Sequence, residues 1–221
     1  MHTTIKNTTL QFLRDIEKNN NREWFNQNKE RYTDAQINVL SFVEDLILEM
    51  GKFDEEILKL DAKKSLFRIY RDARFSHNKD PYKTNFGSSL GIGKGSQKAG
   101  YYLHIEPGNS FLAGGIYMPE SSVLKEIRKE ISMNSKEFLK ILDAKSFRNN
   151  FRGLSVEGKL KRVPNGFEKD DPMAEFLKLK NFIVIHPVAD ADLAEPHVCK
   201  IFAKIYHAMQ PLNNFLNAPF L

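Results

Sequence analysis

The stretch Ser65-Leu-Phe-Arg-Ile-Tyr-Arg-Asp-Ala-Arg-Phe-Ser-His-Asn-Lys-Asp-Pro-Tyr-Lys-Thr-Asn-Phe-Gly87 decides how the rest of the chain is read. Phe67 and Ile69 alternate with Arg68 and Tyr70, the period of two expected of a half-buried β-strand. From Arg71 onward the alternation stops and polar residues crowd together. Arg71, Asp72, Arg74, Ser76, His77, Lys79, Tyr82, Lys83, Thr84 and Asn85 lie close together in the chain, and all but Asp72 offer a hydrogen-bond donor. Over residues 61–86, Lys63, Lys64, Arg68, Arg71, Arg74, Lys79 and Lys83 face only Asp61, Asp72 and Asp80. The whole chain carries a formal charge of +5, so most of the excess sits in this one window. Positive charge concentrated in this way predicts a local anionic partner, whereas a diffuse excess predicts little. The competing structural expectation is a solvated loop whose Arg68 and Arg71 pair with Asp72 and Glu106.

Downstream the pattern is that of an antiparallel sheet. Residues 85–92 read as a strand, and Gly91-Ile-Gly-Lys-Gly-Ser96 as a flexible hairpin loop. These glycines superficially resemble a phosphate cradle. Such a cradle needs a helix N-terminus directly after it, for the dipole and the free amides. The next element is instead Gly100-Tyr-Tyr-Leu-His-Ile-Glu106, a second strand. Pro107-Gly108-Asn109 reads as a turn and residues 110–118 as a third strand, with Gly114-Gly115 marking a bulge or a close backbone approach.

Strand parity sharpens the expectation. Tyr101, Leu103 and Ile105 share one face, while Tyr102, His104 and Glu106 share the other. If Phe67 and Ile69 also face the core, one open sheet face presents Arg68, Tyr70, Tyr102, His104 and Glu106, with the basic loop over its end. On that face His104 and Glu106 are the candidate catalytic pair, an imidazole tuned upward by a carboxylate and downward by an arginine. The candidate ligand-binding residues are Arg68, Tyr70, Arg71, Asp72, Arg74, Lys79, Tyr82, Lys83, Thr84, Asn85 and Tyr102. Guanidinium forks match phosphate oxygens bidentately, so the expected ligand is a phosphate-bearing or other anionic small molecule. The alternatives are a nucleic-acid-binding module, with Phe75, Tyr82 and Tyr102 stacking on bases, and an adaptor with an acidic partner.

Upstream, Thr8 with Gln11 reads as a capping box for a helix striped by Leu10, Leu13 and Ile16. Asn19-Asn20-Asn21 breaks it, and Asn20 is the expected cap of the next. Phe25, Asn28, Tyr32, Ala35, Val39, Phe42, Leu46 and Met50 then recur at threes and fours. The spacing predicts one helix of about 30 residues, roughly 45 Å long, ending at Gly51, with Trp24 packed in the core. The C-terminal third returns to helices, beginning at Pro119, Asn134 and Pro196, with Pro211 expected to kink or end the last. Arg148, Arg152, Lys159, Lys161 and Arg162 form a second positive segment. The fold class expected is α+β: a mainly antiparallel sheet of about four to five strands against a long N-terminal helix and C-terminal helices. No linker, repeat or low-complexity tract divides residues 1–221, which predicts a single domain.

Several function classes lack their signatures. Cys199 is the lone cysteine, so neither a disulfide framework nor a thiolate metal site is expected, and its apolar phase predicts a buried thiol. No His-Glu-x-x-His or EF-hand loop is present, so no metal is expected, and no cofactor-binding motif appears. No Gly-x-Ser-x-Gly elbow supports serine hydrolase chemistry. Apolar runs fall short of a membrane span and of a signal-peptide core, which predicts a cytoplasmic protein without a membrane partner.

The strings Phe12-Leu-Arg-Asp15, Asn20-Asn-Arg-Glu-Trp-Phe25, Phe67-Arg-Ile-Tyr-Arg-Asp72, Pro81-Tyr-Lys-Thr-Asn-Phe-Gly87, Gly100-Tyr-Tyr-Leu-His104, Gly114-Gly115, Lys178-Leu-Lys180 and Pro211-Leu-Asn213 span nearly the full length. On them the chain resembles the bacterial and fungal family known as domain of unknown function 2461. The resemblance implies a single full-length domain and brings no activity, cofactor or catalytic residue with it. It also counts mildly against His77 as a required group, since similar proteins often carry another polar residue there.

Overall fold

Apolar residues at threes and fours wind the N-terminal third into helices. The structure is a computed structural model that describes residues 3–72, 74, 77–91 and 97–221. Helix α1 (Asn7–Lys18) buries Leu10, Phe12, Leu13 and Ile16; its N-cap is Lys6, so Thr8 lies inside the first turn instead of capping it. Helix α2 (Arg22–Gln27) is capped by Asn21, whose side chain accepts the Trp24 N–H at 2.9 Å. Asn20, the expected cap, bonds to the Tyr82 backbone instead. The single long helix expected here is broken at Asn28. There the backbone leaves helical geometry, at φ −111° and ψ 21°, and the side-chain amide shares the Trp24 carbonyl with its own backbone N–H. Helix α3 (Lys29–Met50) then runs to Gly51, burying Ala35, Val39, Phe42, Val43, Leu46, Ile47 and Met50.

After a short 3₁₀ turn, helix α4 (Ala62–Ser65) is capped by Asp61, which accepts from the Lys63 and Lys64 amides. The next segment is extended but not a regular strand. It touches its partner chain segment at isolated bridges, Leu66 with Ser88 and Tyr70 with Tyr82. Phe67 is 36% exposed while Ile69 is buried, so the two do not share a face as their spacing predicts. The chain bends at Ile69 and the parity is lost there.

Strands β1 (Phe86–Leu90), β2 (Gly100–Ile105), β3 (Ser110–Ile116) and β4 (Phe182–Val188) form an antiparallel sheet in the order β1-β2-β3-β4. Between β3 and β4 lie helices α5 (Ser121–Met133), α6 (Ser135–Asp143), α7 (Lys145–Asn150) and α8 (Ala174–Leu177). Helix α9 (Val198–Asn217) closes the α+β architecture. Gly115 shows why a side chain is excluded on β3: its φ is +112°, and a Cβ there would sit 1.9 Å from the Phe182 carbonyl oxygen. Of the two expected outcomes at Pro211, a kink or an end, the end does not occur: α9 runs on to Asn217. Leu212, Phe215 and Leu216 beyond Pro211 are buried, and their packing outweighs the one backbone donor that proline lacks.

By its contacts the chain divides into two compact units. One comprises Met1–Leu90, Tyr102–Leu112 and Pro187–Lys204; the other comprises Gly91–Tyr101, Ala113–His186 and Ile205–Leu221. In the first, Phe42 and Phe202 meet edge to face, and Cys199 is fully buried, its thiol pushed up to about 12 by burial. In the second, Phe138 lies between the rings of Phe176 and Phe215. Among the described residues no helix is long and apolar enough to cross a membrane.

Candidate functional site

The basic segment is held open by a short antiparallel ladder at its base. Phe67 donates its N–H to Gly87 O at 2.9 Å, Lys83 to Ile69 O at 2.7 Å, and Arg71 to Pro81 O at 2.9 Å. Asn20 takes part in this base. Its amide accepts the Tyr82 N–H at 3.1 Å and donates to the Tyr82 carbonyl at 3.0 Å, imitating a neighbouring strand. The Tyr82 ring stacks on Phe25 with centroids 4.0 Å apart, which ties the same residue to α2.

Above that base opens a cleft of about 710 Å³ lined by Arg22, Asn26, Arg68, Tyr70, Arg71, Asp72, Arg74, Lys79, Pro81 and Tyr82. Five cationic side chains therefore face a single carboxylate in the lining. That carboxylate is already engaged: Arg74 grips Asp72 through two bonds of 2.7 and 2.9 Å. The Arg74 guanidinium and backbone N–H, with the Arg68 charge, hold the Asp72 carboxyl below its usual range. Arg71 lies 3.9 Å from Asp80. Among the described residues Arg22 and Arg68 make no ion pair, and both are exposed. Asp72 thus pairs with Arg74 and Glu106 bonds elsewhere, so the expected tie from Arg68 and Arg71 to Asp72 and Glu106 is not the one that forms.

The remaining site residues belong to a second group on the polar face of β2. Tyr102, its hydroxyl against His104 Nδ1 at 3.0 Å, begins a chain that continues from His104 Nε2 to Glu106 Oε2 at 3.2 Å. Glu106 also accepts from Thr84 Oγ1 at 2.7 Å and Asn109 Nδ2 at 2.8 Å. Phe111 stacks on the imidazole at 4.5 Å, and Phe67 meets the Tyr102 ring edge on. Gly87 leaves the room this needs, since a Cβ there would stand 2.5 Å from the Tyr102 oxygen.

Burial lowers the His104 pKa and outweighs the hydrogen bond and charge of Glu106, which raise it. The balance differs from expectation, because the downward pull is desolvation and not a nearby arginine. Burial pushes Glu106 up, but its bonds from Thr84, Asn109 and His104 together bring it below the ordinary value. Burial, with the Glu106 charge, pushes the Tyr102 phenol up to about 12. The network at neutral pH is therefore phenol, neutral imidazole and carboxylate.

The structure thus divides the sequence-predicted residues. Arg68, Tyr70, Arg71, Asp72, Arg74, Lys79 and Tyr82 line the cleft; Thr84, Tyr102, His104 and Glu106 form the network. Lys83 sits with its Nζ 5.2 Å above the Phe67 ring, and Asn85 is half-buried just before β1. Phe75 and Ser76 lie outside the described residues, as does most of the glycine-rich loop. Arg22, Asn26 and Pro81 are additions that sequence reasoning passed over. A signal for two of them existed: Arg22 and Asn26 stand four apart on α2, so they share one helix face, with Phe25 one turn from Arg22. Among the described residues no group of three or more His, Cys, Asp or Glu is gathered to hold a metal ion.

This arrangement of an α+β chain with a cationic cleft falls within a known family. Residues 8–215 match the family described as conserved hypothetical protein (DUF2461), and the chain belongs to it. No curated protein and no solved structure matches the chain.

Proposed function

We propose that this is a cytoplasmic protein that binds a phosphate-bearing small molecule in the cleft between α2 and the 68–82 segment. One observation carries the reading: five cationic side chains and one already-paired carboxylate line a cleft of about 710 Å³. Arg22 and Arg68 make no ion pair among the described residues, and an anion would offset the crowded positive charge while accepting bidentate bonds from them. Arg22 and Arg68 supply the open forks, Arg71 and Lys79 add charge, and Tyr70 and Asn26 offer neutral groups. The Tyr102–His104–Glu106 network lies beside this function as a brace, holding the segment through Thr84.

A thermal-shift screen of phosphorylated metabolites tests the proposal. A true ligand present at about a hundred times its Kd stabilises the folded protein by roughly 2.7 kcal/mol. The expected result is a raised melting temperature for the wild type that is lost in an Arg22→Ala, Arg68→Ala variant. A screen in which no phosphorylated compound stabilises the wild type more than that variant overturns it.

A further inference from the structure

We infer that the ligand of the cationic cleft is a nucleotide, with its phosphates on the guanidinium groups and its base laid against Tyr70. The inference rests on the anion-binding reading and narrows it. Size is the first ground. A cleft of about 710 Å³ is far larger than a single phosphate requires and lies within the range, roughly 300–1,000 Å³, of sites for drug-sized ligands. Charge is the second: the five cationic side chains of the lining outnumber the Asp72 and Asp80 carboxylates beside them, an excess that suits a polyanion better than a monoanion.

Tyr70 is the third ground and the one that selects a base. It lines the same cleft and is 51% exposed, unusual for a tyrosine packed among other rings. Its neighbours meet it at an angle: Tyr82 at 49° and Phe25 at 60°. Neither ring lies flat on it, and the exposed half of the side chain is available to a planar group. The ring is also held in place. Tyr70 and Tyr82 are bridged through the backbone, Tyr82 stacks flat on Phe25, and Asn20 fixes the Tyr82 peptide. A rigid, half-exposed aromatic beside guanidinium groups is the pairing that binds a base by stacking and its phosphates by charge. Asn26, with an amide that both donates and accepts, can bond a base edge from α2.

Isothermal titration of the full chain, without added divalent cation and at fixed ionic strength, compares ATP with inorganic tripolyphosphate. On the wild type, ATP is expected to bind about tenfold more tightly, the contribution of one stacked base. Tyr70→Leu is expected to remove that advantage while tripolyphosphate affinity stays within about twofold, and Tyr70→Trp to keep it. Matching urea midpoints for the variants guard against a folding defect. Equal affinity for ATP and tripolyphosphate, unchanged in Tyr70→Leu, overturns the base site and leaves the anion cleft standing. If neither compound binds, both readings fall. A single-stranded oligonucleotide that binds far more tightly than ATP overturns the mononucleotide in favour of a nucleic-acid strand.

Discussion

The cleft and the sheet-face network draw on the same kinds of residue, yet they reach opposite charge balances. On the sheet face Tyr102, His104, Glu106 and Thr84 bond one another in a chain, with Asn109 closing its end. The imidazole is neutral, the carboxylate has donors on it, and an aromatic ring covers the face. In the cleft, cations outnumber carboxylates, and Arg22 and Arg68 make no ion pair among the described residues. A network whose groups bond each other contributes stability, because breaking it leaves buried polar atoms unpaired. A cluster of like charges costs stability, and a bound anion would offset that cost. On the proposed reading the network serves stability and the cleft serves binding, two roles that sequence reasoning had merged.

The largest effect separates the two on the binding side. An Arg22→Ala, Arg68→Ala variant is expected to lose about a hundredfold or more in affinity for a phosphorylated ligand, since each charged hydrogen bond is worth roughly 1.5–3 kcal/mol. Its stability is expected to stay within about 0.5 kcal/mol of the wild type, as for surface substitutions generally. Calorimetric titration paired with urea unfolding checks both halves. Lost stability with retained affinity breaks the comparison.

The reverse pattern is expected of His104→Ala. Removing the imidazole takes one hydrogen-bond partner from the Tyr102 hydroxyl and one donor from Glu106, at a cost of roughly 1–3 kcal/mol. Ligand affinity is expected to change less than about threefold. A large loss of binding in a variant with normal urea midpoint would bring His104 into the ligand site and revive its catalytic candidacy.

Asn20→Ala crosses the divide. It removes two bonds to the Tyr82 backbone, so unfolding measurements are expected to show a loss of about 1–2 kcal/mol. Because Tyr82 lines the cleft, affinity is expected to fall severalfold as well, with the conservative Asn20→Asp variant intermediate. An unchanged affinity would mean that the base of the segment does not position the cleft.

The pH dependence is the smallest effect. The folded-state pKa of His104 is depressed, so the unfolded chain takes up its proton first as pH falls. Its contribution to stability is present above the ordinary histidine value near 6.5 and declines as pH drops from there toward the lower folded value. Glu106 is likewise depressed, and its contribution fades only at more acid pH, as the carboxylate is protonated in the folded state. Urea midpoints between pH 7.5 and 5.5 are expected to fall slightly, and less steeply in His104→Phe. A wild type that gains stability on acidification over that window, relative to the variant, contradicts the assignment of a neutral imidazole.

Much of the architecture was legible because its signals are local and periodic. The alternation in β2 puts Tyr102 and His104 on one, half-buried side and Tyr101, Leu103 and Ile105 on the buried side, and the stripe from Ala35 to Met50 is the buried face of α3. Gly51 ends that helix and Gly115 marks the close approach of β3 to its neighbour. Where the backbone departs from a repeat that the side chains continue, periodicity misleads. Asn28 leaves helical geometry, at φ −111° and ψ 21°, and breaks a helix whose apolar stripe continues unbroken. The bend at Ile69 has the same consequence for the segment that opens the site: Phe67 turns outward, and the parity that put Arg68 and Tyr70 beside His104 fails. Arg22 and Asn26 share a helix face, but the surface that face meets is set by tertiary contacts, the Phe25–Tyr82 stack and the Asn20 clamp among them.

The central claim, that the cationic cleft and not the sheet face receives an anion, can be tested residue by residue. In ¹⁵N-labelled protein titrated with tripolyphosphate, the Arg22 and Arg68 Nε–H signals and the backbone amides of Tyr70, Arg71 and Tyr82 are expected to shift saturably. The amides of His104, Ile105 and Glu106 are expected to stay in place. Absence of saturable shifts at the arginines, or shifts centred on the Tyr102–Glu106 strand, would contradict the account.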